Sequence, residues 1–403
     1  MKYSVIVTAI SLSISACSSD RLSGLSEELE RAAINDSTAV FDMEACSISE
    51  MKLSDLICDV SYVELETTED SYLSVPTDIK ATDSLLYVQD IDGHLRVFNR
   101  NGKFMRNGYM KGKGNREVIR LYDFDVDSKH LYLLDGSKSE MLVFTHDGRF
   151  VDGHKLPFRA SRFKKQENGL FFFELAPYTL GNNDETYEIG VTDSCFNTVG
   201  TYFTAFGRQK SMGATRTPYF ENSDNAAYFA PLFRRGIYEW ADTAFRMKYY
   251  LDFKSPYYEQ SRDVDGQAYA ISHDTYFTYT HPFHTDKYLI QTFFTSKKAH
   301  GLLLIDMENK EPLFIKDIVN DRDDVIRFRF DLTKWYDVCQ DKFIAISDTY
   351  FQGVHSDEEI AEATSHLSDK AKRILVRPKK ENGINPILML YGFKDDIFEK
   401  HGK

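Results

Sequence analysis

Short apolar segments recur along the chain, and polar clusters separate them. Residues 85–104 and residues 131–150 align with each other, and each contains a strand, a turn, a second strand, a tight turn and a third strand. The tight turns are Asn101-Gly102 and Asp147-Gly148. These dipeptides favour primed hairpin turns because their residues tolerate positive φ, so the pattern predicts repeated antiparallel β-units.

Weaker copies of the same unit follow, each with an aromatic residue in its second strand. The equivalent positions are Tyr87, Tyr132, Phe172, Tyr228, Tyr288 and Phe343, at steps of 45, 40, 56, 60 and 55 residues. A strand before each position completes the unit, as at residues 78–81, 123–126 and 326–330. Such a period is typical of four-stranded propeller blades. We therefore predict an all-β fold, a six-bladed β-propeller of four-stranded blades.

The last unit has only three strands of its own. Residues 60–66 alternate polar and apolar side chains, belong to no repeat and precede the first blade. We predict that this N-terminal strand closes the ring and removes its exposed edge. Residues 350–385 form an insertion in the last blade, with a helix that begins at Ser356 and has a stripe of Ile360, Ala363, Leu367 and Ala371. The predicted propeller spans residues 60–396, and residues 397–403 form a C-terminal tail.

Two motifs carry a family resemblance. They are Tyr62-Val63-Glu64-Leu65-Glu66-Thr67-Thr68 and the turn Gly112-Lys113-Gly114-Asn115-Arg116-Glu117. With them the chain resembles the six-bladed β-propeller lipoproteins of Bacteroidetes, which are related to NHL-repeat propellers. Asn115 and Arg116 depart from that family's pattern, which has Pro-Gly at these positions. The resemblance implies a propeller fold and export, and it implies no single activity.

The N-terminus has the features of an export signal. Lys2 precedes a mostly apolar stretch at residues 5–14, and Ile14-Ser15-Ala16-Cys17 resembles a lipobox. We predict a lipoprotein signal peptide at residues 1–16, lipidation of Cys17 and a polar tether at residues 17–59. The alternative is an ordinary signal peptide followed by a chance cysteine. The predicted location is the bacterial cell envelope, lipid-anchored in the outer membrane on its periplasmic or surface side.

Composition excludes several classes of protein. The chain has 403 residues, of which 42% are hydrophobic and 14% aromatic, and its net charge is -13. Disordered chains lack so many aromatic residues, and nucleic-acid binders are usually basic, so we expect no nucleic-acid partner. Cys46, Cys58, Cys195 and Cys339 show no metal-ligand or disulfide spacing, which leaves bridges and free thiols both open.

The candidate ligand-binding residues lie in long connections. In a propeller, the loops between second and third strands and the loops between blades emerge on one face. The long connections at residues 174–186, 207–225, 254–283 and 350–385 belong to these two types and are rich in aromatic and basic side chains. The candidates are Tyr178, Arg208, Arg216, Arg234, Arg235, Tyr258, His281 and Tyr350. Aromatic faces and guanidinium groups suit sugars or carboxylates, whereas the alternative is that these residues only pack the loops.

Linear motifs for catalysis or metal binding are weak. Asp90-Ile91-Asp92-Gly93 and Asp263-Val264-Asp265-Gly266 fail the EF-hand spacing, which favours ordinary turns. In His281-Pro282-Phe283-His284 the proline blocks the helix that would place both imidazoles on one face. The sequence contains no nucleophile elbow, zincin motif, phosphate-binding loop or dinucleotide fingerprint. We therefore predict no metal and no cofactor.

These observations predict a non-catalytic binding module for a glycan or peptide ligand, with the membrane as a partner through Cys17. The first alternative is a propeller enzyme, a polysaccharide lyase or hydrolase with or without a metal. Its candidate residues are His281, His284, Asp348 and His355. The second alternative is a scaffold that binds an outer-membrane protein partner through the helical insertion.

Overall fold

The computed structural model describes residues 31–175, 187–204, 227–231, 235–253, 276, 282–293, 301–326, 335–339, 342–346, 357–376 and 384–401. Strands dominate these residues and form six blade sheets. Within the same residues, no helix is long and apolar enough to cross a membrane. The predicted signal peptide and Cys17 lie outside the described ranges.

The elements follow the predicted repeat. The N-terminal segment contains β1 (Ala39–Asp42), β2 (Ser47–Ile48), β3 (Met51–Lys52), the short helix α1 (Leu53–Leu56) and β4 (Ile57–Glu64). Blade 1 contains β5 (Pro76–Ala81), β6 (Leu85–Asp90), β7 (Leu95–Asn99) and β8 (Phe104–Asn107). Blade 2 contains β9 (Leu121–Val126), β10 (His130–Asp135), β11 (Glu140–Thr145) and β12 (Phe150–Lys155). Blade 3 contains β13 (Ala160–Lys165), β14 (Phe171–Leu175), β15 (Tyr187–Thr192) and β16 (Thr198–Thr204).

The second half of the ring recruits strands from the N-terminal segment. Blade 4 contains β17 (Tyr228–Phe229), β18 (Gly236–Ala241) and β19 (Ala244–Asp252), with β1 at its outer edge. Blade 5 contains β20 (Phe283–His284), β21 (Tyr288–Phe293), β22 (Gly301–Asp306) and β23 (Pro312–Ile315), with β2 outermost, and β24 (Ile318–Val319) pairs with β3. Blade 6 contains β25 (Trp335–Cys339), β26 (Lys342–Ile346), β27 (Ile387–Phe393) and β4. The remaining helices are α2 (Asp357–Thr364), α3 (Asp369–Leu375) and α4 (Ile397–His401).

The core lies between the blades. Among the described residues, an apolar cluster fills each of the six boundaries between neighbouring blades, including the boundary between blade 6 and blade 1. The six aromatic residues that marked the repeat are all buried. Tyr87 of β6, for example, lies against Phe124 of β9, with 6.4 Å between the ring centroids. The prediction of a closed six-bladed propeller is confirmed.

The N-terminal strand closes the ring as predicted. β4 pairs antiparallel with β27, and Val60 lies opposite Tyr391. The first strand of blade 6 is Trp335–Cys339, however, so the prediction of a strand at residues 326–330 was wrong at its start. Ile326 lies outside the sheets and is buried against the helical insertion, and residues 327–330 fall outside the described ranges.

The predicted tether at residues 17–59 is too long. β1 pairs parallel with β19, β2 pairs parallel with β23, and β3 pairs parallel with β24. We call residues 39–56 the N-terminal belt. Its apolar side chains enter the core between blades, among them Phe41, Leu53 and Leu56. The physical reason is that the belt covers the unpaired outer edges of blades 4 and 5, which an open sheet would expose.

The segment predicted as a C-terminal tail is also part of the fold. Residues 397–401 form α4, and Ile397 is fully buried in the core between blades 5 and 6. The ring of Phe398 stacks on Tyr288 with 5.9 Å between centroids. The apolar pair Ile397 and Phe398 therefore fixes the end of the chain to the propeller.

The helical insertion contains two short helices where the sequence predicted one. α3 begins anew at Ser368, whose hydroxyl accepts a hydrogen bond from the Ala371 backbone N–H at 3.4 Å. The predicted stripe is nevertheless used, because Ala363, Leu367 and Ala371 are buried against Ile326 and Ile387. The insertion therefore docks on the ring through its apolar face. Ser356, the predicted cap, lies outside the described residues.

The tight turns differ from the predicted primed type. In both turns only the glycine has positive φ, 81° at Gly102 and 90° at Gly148. The Asn99 N–H donates to the Lys103 carbonyl at 2.9 Å, and the Gly102 N–H donates to the Asn99 carbonyl at 2.9 Å. This is a type I turn followed by a bulge with glycine in the left-handed region.

Candidate functional site

Of the predicted ligand-binding residues, only Arg235 is among those the structure describes. Tyr178, Arg208, Arg216, Arg234, Tyr258, His281 and Tyr350 lie outside the described ranges. Arg235 is 9% exposed, and its guanidinium donates to the Phe253 carbonyl at 2.8 Å. This contact accounts for the buried position of Arg235, and its role in ligand binding stays a prediction.

Of the four residues predicted for an enzyme, the structure describes only His284. His281, Asp348 and His355 lie outside the described residues. His284 is half-buried at the end of β20, and its ring stacks on Tyr228 with 5.5 Å between centroids. Among the cysteines whose side chains are described, Cys46, Cys58 and Cys195 form no disulfide.

The aspartates that recur after the second strand act as turn acceptors. Asp90 Oδ1 accepts from the backbone N–H groups of Asp92 and His94 at 3.1 and 2.8 Å. Asp135 Oδ1 accepts from the backbone N–H groups of Ser137 and Lys138 at 2.9 and 3.2 Å. Asp90, Asp92 and His94 bring three possible metal-ligand atoms within 4.8 Å of one another, but the hydrogen bonds explain this cluster as a turn. The turn predicted at Asp90 is confirmed, and Asp135 has the same role in blade 2.

A cluster of charged side chains lies where the inner strands of blades 1, 2 and 3 meet. β5, β9 and β13 each end their sheet on the inner side, and they contact one another across blade boundaries. Six charged residues occupy equivalent positions on these strands, in two layers. The first layer contains Asp78, Asp123 and Arg162, and the second contains Lys80, Asp125 and Lys164. We call these six residues the axial cluster.

Four of the six residues of the axial cluster are buried, Arg162 and Lys164 are half-buried, and hydrogen bonds cross between blades. Asp123 of blade 2 is 6% exposed, and its Oδ2 accepts from the Phe163 N–H of blade 3 at 2.8 Å. Asp125 Oδ2 accepts from the Lys165 N–H at 2.9 Å, and the Lys164 ammonium lies 3.1 Å from Asp125 Oδ1. These contacts join blades 2 and 3, and the cluster contains three acidic and three basic residues.

Burial disfavours the ionised form of two carboxyl groups in the first layer. Burial and the neighbouring charge of Asp78 raise the pKa of Asp123 to about 8. Burial also raises the pKa of Asp78, against the opposing effect of Lys80 and Arg162. Paired carboxyl groups with raised pKa values are a feature of acid–base and ligand sites, although structural networks show it too.

The raised pKa of Asp123 predicts a pH dependence of stability. An unfolded aspartate releases its proton near about pH 4, whereas folded Asp123 holds it to about pH 8. The contribution of Asp123 to the free energy of unfolding is fully present below about pH 4 and is lost as the pH rises towards about 8. The reason is that the folded state binds more protons than the unfolded state between these pH values. Asp123→Asn should therefore reduce the fall in the free energy of unfolding by up to about 1.4 kcal/mol per pH unit. Urea unfolding at several pH values would measure it, and an unchanged slope would contradict the assignment.

The sequence contains a motif that could have predicted this cluster, but the motif also has the pattern of an ordinary half-exposed strand. The three inner strands share a motif of charged, apolar, charged residues, namely Asp78-Ile79-Lys80, Asp123-Phe124-Asp125 and Arg162-Phe163-Lys164. Alternation of this kind normally indicates a strand with one solvated face. Alignment of the inner strands, in addition to the aromatic positions, would have placed the charges together.

One face of blades 1 and 2 lies above the axial cluster. We call it the connection face, and it contains the turns at residues 90–94 and 135–139 and the connection at residues 108–120. The Tyr109 hydroxyl donates to the Gly93 carbonyl, and the Gly136 N–H donates to the Arg120 carbonyl at 3.1 Å. β5 and β9 begin on this side, so Asp78 and Asp123, each third in its strand, lie near it. Charged groups of both signs therefore lie on the inner strands beneath this face.

One solved structure with a TM-score above 0.5 supports the fold, and two others have weaker similarity. A protein of Bacteroides fragilis described as exported has a crystal structure that superposes with a TM-score of 0.67 at 17% identity, covering 87% of this chain and 99% of that chain. A member of the DUF4221 family from Bacteroides vulgatus gives a TM-score of 0.48 at 8% identity, covering 84% of this chain and 97% of that chain. The extracellular domain of a one-component system from B. thetaiotaomicron gives a TM-score of 0.37 at 11% identity, covering 74% of this chain and 34% of that chain.

A comparison with curated proteins finds no match. The family comparison covers nearly the whole propeller, including the N-terminal belt. Residues 38–392 match a family described as a domain of unknown function, DUF4934. The chain therefore belongs to the DUF4934 family.

Proposed function

We propose that the protein is an exported, lipid-anchored binding module of the bacterial cell envelope, without catalytic activity, and that its ligand is a glycan or a peptide. The observation that carries the proposal is the axial cluster beneath the connection face. Charged side chains of both signs on the inner strands offer partners to the charged or hydroxyl groups of a polar ligand. The exported protein of Bacteroides fragilis with the same fold supports an envelope location.

Lipid anchoring is proposed from the lipobox resemblance at Cys17, and the family resemblance supports export. Cys17→Ala should move the protein from the membrane fraction to the soluble fraction of cells, and retention in the membrane would contradict the anchor. The scaffold alternative loses its motivating feature, because the helical insertion uses its apolar stripe against the ring.

An enzyme is the second candidate function, and one observation favours it. Asp123, with a pKa of about 8, lies near the carboxyl group of Asp78, as in sites that transfer protons at neutral pH. The same hydrogen bonds and ion pairs also serve a purely structural network. Turnover must therefore be measured together with binding.

The test is an array of glycans and peptides probed with residues 18–403, followed by titration calorimetry of each hit. Asp123→Asn keeps the shape of the side chain and an acceptor for the Phe163 N–H, so it should fold. We expect it to weaken binding at least tenfold, and we expect exposed Asp70→Asn to leave binding unchanged. A shortened or modified ligand after incubation would favour the enzyme. No binding of any glycan or peptide would contradict the proposal.

A further inference from the structure

Four exposed cationic side chains lie along the connection between blades 1 and 2, in a protein whose net charge is -13. Lys111, Lys113, Arg116 and Arg120 all come from the connection between blades 1 and 2, and all four are exposed. We call them the basic rim. The same connection contains a single acidic residue, Glu117, whereas the whole chain has 62 acidic and 49 basic side chains. The connection is therefore positively charged, whereas the chain as a whole is negatively charged.

The rim cations lack the carboxylate partners that other cations of the protein have. Within the described residues, none of the four forms an ion pair within 4.0 Å. In contrast, Lys164, Lys165 and Lys248 each lie 2.8 to 3.1 Å from a carboxylate oxygen. The positive charge of the rim is thus available to a ligand.

The connection is held in a defined shape. Glu117 Oε2 accepts from the Gly114 N–H at 2.8 Å, and the Lys138 ammonium donates to the carbonyls of Gly114 and Glu117 at 2.8 and 2.6 Å. A Cβ atom at Gly112 would lie 2.0 Å from Glu117 Oε2, so a larger residue there would displace this carboxylate from its position. The only carboxylate of the connection is therefore used inside the turn, and the cations remain outside.

Aromatic rings position both guanidinium groups of the rim. Arg116 lies over the ring of Phe150 at 5.4 Å, and Arg120 lies over the ring of Tyr122 at 5.2 Å. Such contacts restrict the planar guanidinium before a ligand arrives, which favours two parallel hydrogen bonds to a planar carboxylate. Lysine ammonium groups at residues 111 and 113 add point charges beside them.

We infer that the basic rim binds a linear polysaccharide that carries carboxylate groups on its sugar units. The four cations are exposed along one connection rather than enclosed in a pocket, so a chain with repeated carboxylates contacts several of them at once. The fixed guanidinium planes favour carboxylates over the diffuse charge of a lipid surface. The inference rests on the proposed function, because it names the class of glycan that the connection face binds.

The experiment measures binding of a galacturonate hexamer to residues 18–403 by calorimetry. Its methyl ester, which has the same sugars without the charges, is the matched ligand control. We expect the ester to bind at least tenfold more weakly, and Arg116→Gln with Arg120→Gln to weaken hexamer binding at least tenfold. Affinity for the hexamer should also fall as salt rises, because exposed charges are screened.

The control protein carries Lys103→Gln and Lys129→Gln, which remove the same charge from exposed turns on the opposite face. It should bind the hexamer like the unchanged chain, and thermal unfolding should show that both double variants are folded. Equal loss in the control, or no difference between the hexamer and its ester, overturns the inference. So does tighter rim-dependent binding to vesicles of anionic phospholipid. If another ligand binds and responds to Asp123→Asn while the hexamer does not bind, the inference fails and the proposed function stands.

Discussion

A chain that lacks residues 18–56 is expected not to form a stable, monomeric propeller, although it keeps every blade strand that the sequence repeat identifies. The truncation removes five buried apolar side chains of the N-terminal belt, namely Phe41, Met43, Met51, Leu53 and Leu56. Each contributes roughly 1.5–3 kcal/mol by burial, so their sum approaches the roughly 5–15 kcal/mol stability of a whole domain. The truncation also uncovers the outer edges of β19 and β23, which should promote association.

The measurement is thermal unfolding by circular dichroism together with size-exclusion chromatography. The matched control lacks only residues 18–30, the part of the predicted tether that precedes the described contacts. It should unfold at the same temperature as the mature chain and elute as the same species. A truncated chain of residues 57–403 that unfolded within a few degrees of this control would show that the belt is dispensable.

The repeat was predictable because each blade must fill the same space against its neighbour. Buried aromatic residues such as Tyr87 and Phe172 therefore return at equivalent positions, and β4 is recognisable as the strand with no repeat of its own. The belt was not predictable, because β1 and β2 are only 4 and 2 residues long and pair in parallel with strands more than 200 residues away. Strands this short show no periodicity.

The candidate site was predictable only in part, for a related reason. The sequence identified the turn at residues 112–117 by resemblance, but it gave no sign that Arg116 and Arg120 lie over aromatic rings. The charged positions of β5 and β9 looked like solvated faces of strands. Asp78 lies near Asp123 because the two residues hold the same position in neighbouring inner strands. The charge pattern of a single strand cannot show which of its faces packs against another blade.

Asp125→Ala is expected to lower the free energy of unfolding by about 3–5 kcal/mol, the range for breaking a buried charge pair from one side. The side chain of Asp125 is 2% exposed, and the Lys164 ammonium that it contacts at 3.1 Å is 15% exposed. The substitution takes away this partner and the acceptor of the Lys165 N–H at 2.9 Å. The loss falls on the boundary between blades 2 and 3, so urea unfolding should report it as a lower midpoint.

One variant separates the charge from the hydrogen bonds, because Asp125→Asn keeps an oxygen acceptor and should lose less stability than Asp125→Ala. As a control, Arg246→Ala removes one member of an exposed pair with Asp242 and should cost less than about 1 kcal/mol. Replacement of both Asp125 and Lys164 by apolar residues of similar size should recover part of the loss, because no buried charge is then separated from its partner. If Asp125→Ala cost no more than Arg246→Ala, the axial cluster would not join the blades. Its charges would then be held at the axis without benefit to stability, which is the pattern expected of groups kept for a ligand.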